Sequence, residues 1–315
     1  GVDSADHLGG NRRNEVPTDA EHSSHFAIED NIIQAGGRVH PSGVGILSHH
    51  CSDSRFAHNR ISDFYYTGIS VGWVWNYGPS RAQRNRIEGN HISHIGQGVL
   101  SDLAGIYTLG PSNGTEINGN LIHHIGCYHY GGYGIYNDQG SAGLRVYGNI
   151  IHDTDTAGYM MNWGKDVVVE NNVLAFTGRY AVHKGTGPEF SAFDFSRNIV
   201  VAEGGEMFGG HVLKGPEFRF TRNLYWQPAG RKPTFLGLGF SQWQAQGKDR
   251  GALVADPLFA DSAARDFRTR ANGPAARIGF EPLDLSTVGV RGYQAWRYLA
   301  QRVPLPAPHH VVPLP

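Results

Sequence analysis

A short unit that returns eight times constrains this chain more than any other feature. It consists of a β-type residue, two variable residues, an Asn and an aliphatic-rich pair. The copies are Ile28-Glu-Asp-Asn31-Ile-Ile, Phe56-Ala-His-Asn59-Arg-Ile, Ile87-Glu-Gly-Asn90-His-Ile, Ile117-Asn-Gly-Asn120-Leu-Ile, Val146-Tyr-Gly-Asn149-Ile-Ile, Val169-Glu-Asn-Asn172-Val-Leu, Phe195-Ser-Arg-Asn198-Ile-Val and Phe220-Thr-Arg-Asn223-Leu-Tyr. Successive Asn residues are separated by 28, 31, 30, 29, 23, 26 and 25 positions. A segment of that length cannot bury its own apolar face, whereas stacked copies build one continuous core. The strands are too short and too rich in β-branched residues for helical repeats, and turns of this size need several strands each. The expected fold is therefore all-β, a single-stranded right-handed parallel β-helix. Each Asn is expected at a corner, its amide bonding the backbone and the amides of the turns above and below, a structural role.

Composition agrees with many short strands and turns: 43 of the 315 residues are Gly, 17% are charged and 11% aromatic. A net charge of -1 and an isoelectric point near 7.1 give no footing for nucleic acid or an anionic membrane as partner. Cys51 and Cys127 fall more than two turns apart and read as ordinary buried or half-buried thiols. No apolar run is long enough to span a membrane, and the start, Gly1-Val-Asp-Ser, has no signal-peptide character.

A second landmark follows each Asn: Gly68-Ile-Ser, Gly105-Ile-Tyr, Gly134-Ile-Tyr, Gly158-Tyr-Met, Tyr180-Ala-Val and Glu206-Met-Phe, at distances of 9, 15, 14, 9, 8 and 8. On this reading only the turns starting at Asn90 and Asn120 are enlarged, by Gln97 to Asp102 and by Cys127 to Gly131. Insertions on consecutive repeats map to one face of a solenoid, often the binding face. Strand alternation then predicts an inward column of Ile69, Ile106, Ile135, Tyr159, Ala181 and Met207. The adjacent outward columns are Ser70, Tyr107, Tyr136, Met160 and Val182, and then Gly72, Leu109, Asp138, Asn162 and Lys184. Tyr107, Tyr136, Asp138, Asn162 and Lys184 would share one exposed strip with Asp102 hanging over it.

The repeat is lost beyond Trp226. Residues 1–228 are read as the β-helix with its groove, and 229–315 as an irregular C-terminal extension packed along it. Within that extension the sequence predicts a short helix capped by Ser241, an extended tail through Ala255-Asp-Pro-Leu-Phe259, Asp266-Phe-Arg and Phe280-Glu-Pro-Leu-Asp284, and a terminal helix over 292–300. The Pro-rich end from Pro304 to Pro315 should be extended.

Gly68-Ile-Ser-Val-Gly-Trp73, the run Arg86 to Gly110 and Asp138-Gln-Gly-Ser141 resemble right-handed β-helix proteins of glycoside hydrolase family 141. Ala255-Asp-Pro-Leu-Phe259 and Asp266-Phe-Arg268 resemble the tail of the same group. The resemblance implies a secreted or periplasmic enzyme acting on plant cell-wall glycans, with fucosidase or xylanase activity and a catalytic carboxylate pair that falls on Asp102 and Asp138. The chain departs from the family at Gln139, where a Glu is usual, and at Met160-Met-Asn-Trp-Gly-Lys165, where a His-rich step is common. Such proteins also carry substantial sequence before these turns, so the chain is expected to be a fragment, a processed form or a short member.

Glycoside cleavage needs one carboxyl group as acid and a second as nucleophile or base, the requirement that Asp102 and Asp138 meet. Their structural alternative is a loop cap and a turn bond. Tyr107, Tyr136, Tyr133, Trp73, Trp75 and Trp163 offer flat faces for sugar rings, or simply cover neighbouring turns. Gln139, Asn162, Lys184 and Glu189 could bind hydroxyls, Lys184 and Glu189 alternatively pairing on the surface. His91, His94, His123, His124, His129 and His152 lie near the enlarged turns, mostly in a repeated corner slot, so no metal is expected; nor is any cofactor. The expected partner is an oligo- or polysaccharide. Two other functions stay open: a polysaccharide lyase on a pectate-lyase-like solenoid, with Lys184, His183 or a Tyr as base, and a non-catalytic glycan-binding solenoid.

Overall fold

The computed structural model describes residues 16–185, 193–204, 206–210 and 218–307. Three parallel sheets run its length. The first has eight strands, from Ala27–Glu29 to Phe218–Thr221; the second has nine, from Ile32–Gln34 to Leu253–Val254; the third has seven, from Ile46–Ser48 to Phe208–Gly210. Each strand pairs with its equivalent one turn later, so the chain winds as a right-handed parallel β-helix.

The corner Asn residues form the expected ladder. The side-chain amide of Asn59 donates to Asn90 Oδ1 at 3.0 Å, Asn90 to Asn120 at 3.0 Å and Asn120 to Asn149 at 2.9 Å, and the relay continues through Asn172 and Asn198 to Asn223. The same Oδ1 atoms also accept a backbone N–H from the preceding turn, as Asn149 does from Asn120. The ladder closes on a residue that lies outside the repeat: Asn223 donates to Asp249 Oδ1 at 2.8 Å.

Inside the coil the second sheet contributes Ile61, Ile92, Ile122 and Ile151, all essentially unexposed. Each contributes about 1.5–3 kcal/mol on burial. These isoleucines explain the Gly of the Gly-Ile step. A Cβ on Gly134 would sit 2.2 Å from Ile151 Cγ2 and 2.6 Å from the Gly158 carbonyl, and Gly105 is as tightly placed against Ile122. At Gly158 the facing residue is Leu174, which a Cβ would meet only at 3.2 Å, and one turn later Ala181 fits.

That relaxation corrects the predicted register. Tyr159 pairs with Val182 and Met160 with His183, so the step equivalent to Gly158 is Ala181, not Tyr180. Val182 and Phe208, fully buried, continue the third-sheet column of Ile69, Ile106, Ile135 and Tyr159, in place of Ala181 and Met207. Val182 is thus not an outward residue, and His183 takes that place. A one-residue slip also reverses Lys184, which pairs with Met161 and faces inward. A second correction concerns loop size. Ile46 pairs with Ile69, which makes Gly45 the equivalent of Gly68 and places it 14 residues after Asn31. The turn from Asn31 therefore carries an enlarged loop too.

At the C-terminal end Phe208, Phe220, Tyr225, Phe235 and Trp243 plug the coil. Trp243 belongs to a helix over Phe240–Ala245 that begins one residue before Ser241; Ser241 is not its cap, and Gln242 Oε1 instead accepts the Gly239 N–H. The tail does return along the solenoid. Phe259, Phe267, Ile278 and Phe280 cover the outer face of the second sheet over Ile150, Val173, Ile199 and Leu224. Further on, Glu281 bonds Asn171, Gly289 bonds Gly89 and Arg291 pairs with Asp30. The terminal helix spans Gln294–Gln301. Both cysteines are buried.

Candidate active site

The enlarged loops after strands His91–Ile95 and Leu121–Ile125 are stacked on one another rather than independent. Tyr128 N–H donates to the Leu100 carbonyl at 2.8 Å, Asp102 N–H to Tyr130 at 2.9 Å and Tyr133 N–H to Leu103 at 3.1 Å. Gly131 permits this contact, because a Cβ there would lie 2.6 Å from Asp102 N, and its φ of 96° suits Gly. Leu103 is fully buried and anchors the loop to the core. Asp102 itself has a φ of 60°, a left-handed conformation that a non-glycine residue adopts at a cost.

Asp138 follows strand Tyr133–Asn137 and is only 5% exposed. Three side chains donate to its carboxylate: Tyr107 to Oδ2 at 2.5 Å, Tyr136 to Oδ1 at 3.0 Å and Asn162 to Oδ1 at 2.8 Å. Tyr107 and Tyr136 are adjacent in the ladder and their rings stack at 4.6 Å. Behind them the inward residues form a second polar layer, in which Asn137 donates to Thr108 Oγ1 at 2.8 Å and accepts from the Tyr159 hydroxyl at 2.8 Å. The three donors thus hold the carboxylate itself, while the inward layer fixes the strand from which it projects.

The two acids sit in different electrostatic settings. Burial raises the pKa of Asp102, the Asp138 charge raises it further, and the Tyr136 hydroxyl opposes both. Tyr136 thus stands within reach of both carboxyl groups. The phenols of Tyr107 and Tyr136 are held protonated, first by burial and then by the carboxylates. Tyr66, Tyr130 and Tyr133 also feel these charges. Tyr130 and Tyr128, at the rim, are 54% and 73% exposed.

Asp102, Asp138, Tyr107, Tyr136 and Asn162 are thus brought together. Trp73 lies nearby on the segment after Gly72, its ring stacked on His49 at 4.4 Å and edge-on to Trp75 at 5.0 Å. The carbonyls of Gln139 and Trp163 hold the preceding turn, accepting the N–H groups of Gly110 and Gly140 at 3.0 Å each. Lys184 does not join the strip. It is 3% exposed and its ammonium donates to the Asn162 and Gly185 carbonyls at 2.6 and 2.8 Å. Burial pushes it down to about 8. Glu189 lies outside the described residues. His183 extends the strip instead, its Nδ1 3.4 Å from the Tyr133 hydroxyl and its ring stacked on Tyr180. A constant step of nine from Asn172 would have found it. Tyr66 precedes the landmark Gly68, and no periodic signal marks it.

Among the described residues no group of three His, Cys, Asp or Glu side chains converges to hold a metal ion. No helix among them is long and apolar enough to cross a membrane.

Comparison with known proteins gives three findings. No curated protein matches the chain. A solved structure described as a glycoside hydrolase shares 25% identity at a TM-score of 0.40; the alignment covers 56% of this chain and 27% of that one. The chain thus spans about a quarter of the length of that structure. Residues 74–223 match the family described as the right-handed β-helix region, in agreement with the three stacked parallel sheets.

Proposed function

We propose that the protein is a glycoside hydrolase acting on neutral, plant cell-wall-type glycans of the fucoside or xylan kind, in a secreted or periplasmic setting. One observation carries the reading: two carboxyl groups share the reach of one tyrosine hydroxyl but differ in environment. Asp102, its proton held by burial and by a neighbouring negative charge, is the acid that protonates the glycosidic oxygen. Asp138, accepting three hydrogen bonds, is the carboxylate that attacks the anomeric carbon or activates water on the opposite face. Tyr107 and Tyr136 orient it, and Tyr128, Tyr130 and Trp73 offer rim faces for sugar rings. As the leaving group departs, the proton passes from Asp102 to the glycosidic oxygen. If Asp138 attacks, a covalent glycosyl-enzyme forms, and water that gives its proton to Asp102 then breaks that bond and frees Asp138; if Asp138 activates water, it takes the water proton in the same single displacement.

The lyase reading loses a base, because Lys184 is turned into the core and bonded to carbonyls. The test is a screen of cell-wall oligosaccharides with chromatographic detection, repeated with Asp102→Asn. Turnover should fall by about 10²–10⁴-fold in that variant, the range of a general acid. An intact substrate after long incubation with the wild type, or normal turnover by the variant, would overturn the reading. The anomer released first, read by NMR, then assigns the role of Asp138.

A further inference from the structure

Five imidazoles meet on the outer face of the second sheet, at the roots of the loops that carry Asp102 and Tyr130. The His94 and His124 rings are parallel within 3° at 4.8 Å, and so are those of His123 and His152. His123 touches two more rings edge to edge: its Nε2 is 2.8 Å from His91 Nε2 and its Nδ1 is 2.6 Å from His124 Nδ1. An N–H···N bond needs one protonated and one bare nitrogen, so the chain His91–His123–His124 is complete when all three rings are neutral. One added proton can rest on His123, which then donates both ways; a second has no nitrogen in the chain that is not already facing a donor.

The surroundings disfavour charge as well. Arg60, 5% exposed, donates to Ser93 Oγ at 2.8 Å and adds a positive charge beside His91. Of the acids that face the array, Asp63 is engaged by Arg38 and Gln97, while Asp153, held by Arg265, also pairs with His152, the one ring of the array with a carboxylate beside it. From the tail, Phe267 packs on His152 and Gly289 on His91. Burial foremost, with these neighbours, holds His91 and His123 well below the ordinary imidazole value and takes His94 down to about 4.

The array is coupled to the loops without slack. His94 and His124 both have a φ of 56°, and each loop begins two residues later at Gly96 or Gly126. A Cβ on Gly96 would lie 1.8 Å from the Gly126 carbonyl, so the two loops leave in direct contact. Rings that move apart must carry the loops with them. We infer that the imidazole array is a pH-sensitive latch: neutral, it holds the two enlarged loops in register, and in acid its repelling charges part the stacked rings and loosen residues 97–102 and 127–131.

The sign follows from linkage. A group whose folded pKa is depressed contributes stability above its unfolded value, and that contribution is lost as the pH falls. For His94 the loss runs from the unfolded value of 6.5 down to about 4. Hydrogen exchange, corrected for the intrinsic rate, should show loop peptides 97–102 and 127–131 losing about tenfold in protection between roughly pH 7 and 4.5, while strands Val173–Thr177 and Ile199–Ala202 keep theirs. In the double variant His94→Asn, His124→Asn, whose new residues tolerate the left-handed backbone, the loops should no longer lose protection as the pH falls. His124→Asn alone should show a reduced change and serves if the double variant does not fold. Wild-type loops equally protected at both pH values, or variant loops that respond like the wild type, would overturn the latch. The measurement reads loop motion and no turnover, so its outcome is independent of the glycosidase reading.

Discussion

Asp138 and Asp249 are two buried carboxylates with similar partners and different surroundings. Each accepts three side-chain hydrogen bonds, two from Tyr and Asn in both cases, the third from a second Tyr at Asp138 and from Trp243 at Asp249. Asp249 is unexposed, ends the Asn ladder and sits under the aromatic plug. Asp138 lies in an outward column beside a second acid on an enlarged loop. A satisfied buried carboxylate is therefore not in itself a mark of chemistry. What separates the two is a carboxyl neighbour and a place beside an enlarged loop.

The donors make this contrast testable by one substitution at each site. In Asp138→Asn the amide nitrogen can take the Oδ2 position, opposite the Tyr107 hydroxyl, which can turn round and accept. Stability should change by less than about 1 kcal/mol, whereas turnover should fall by about 10⁴-fold because no carboxylate is left to attack or activate water. In Asp249→Asn either orientation aims the amide nitrogen at an N–H donor, Trp243 Nε1 or Asn223 Nδ2, and neither can accept. Denaturant unfolding should show a loss of about 3 kcal/mol with turnover intact. Equal stability losses at the two sites would erase the distinction.

Next in size is the removal of one hydroxyl from each cluster. Tyr107→Phe leaves Asp138 Oδ2 without its donor, but Tyr107 is only half-buried and water can replace its hydroxyl, so unfolding should be nearly unchanged. Turnover should fall by about tenfold, the worth of a single charge-assisted bond. Tyr225→Phe leaves Trp243 as the only donor to Asp249 Oδ2 in a site closed to water. That variant should lose about 1–2 kcal/mol of stability and no activity.

The sequence made the repeat legible because stacking forces one chemistry on every corner: an Asn that can both donate and accept along the axis. It also exposed Asp102 and Asp138, since insertions break the count of residues between corners. Asp249 was invisible for the opposite reason, as it occupies the ladder's last position without belonging to a repeat. Lys184 falls on the outward face only if Tyr180 is equated with Gly158; the true equivalent is Ala181, and in a strand one residue decides between outward face and core. The enlarged loop after Asn31 is hidden in the sequence because only strand pairing makes Gly45-Ile46 equivalent to Gly68-Ile69. The repeat encodes the two stacked pairs of the imidazole array, since His94 and His124 each follow a ladder Asn by four residues and His123 and His152 by three. The bonds from His123 to His91 and His124 join different slots, and no spacing marks them.

The smallest effect separates the two aspartates by their influence on a neighbour. Asp102 must be protonated to act as the acid, so the rate should decline as the pH rises through its folded pKa. Part of the upward shift comes from the Asp138 charge and the larger part from burial. The residual activity of Asp138→Asn should therefore show its alkaline limb displaced to lower pH, yet still above that of an exposed carboxyl. The same logic holds for stability: a raised folded pKa contributes below the unfolded value and is lost as the pH rises through the folded one. Neutralising Asp138 should narrow that window, which unfolding curves collected across the acidic range would show. Asp249→Asn should leave both the limb and the Asp102 contribution in place, because Asp249 does not figure among the charges that act on Asp102. A limb that fails to move in Asp138→Asn would mean that the two carboxyl groups titrate independently, and Asp138 would then differ from Asp249 only in depth.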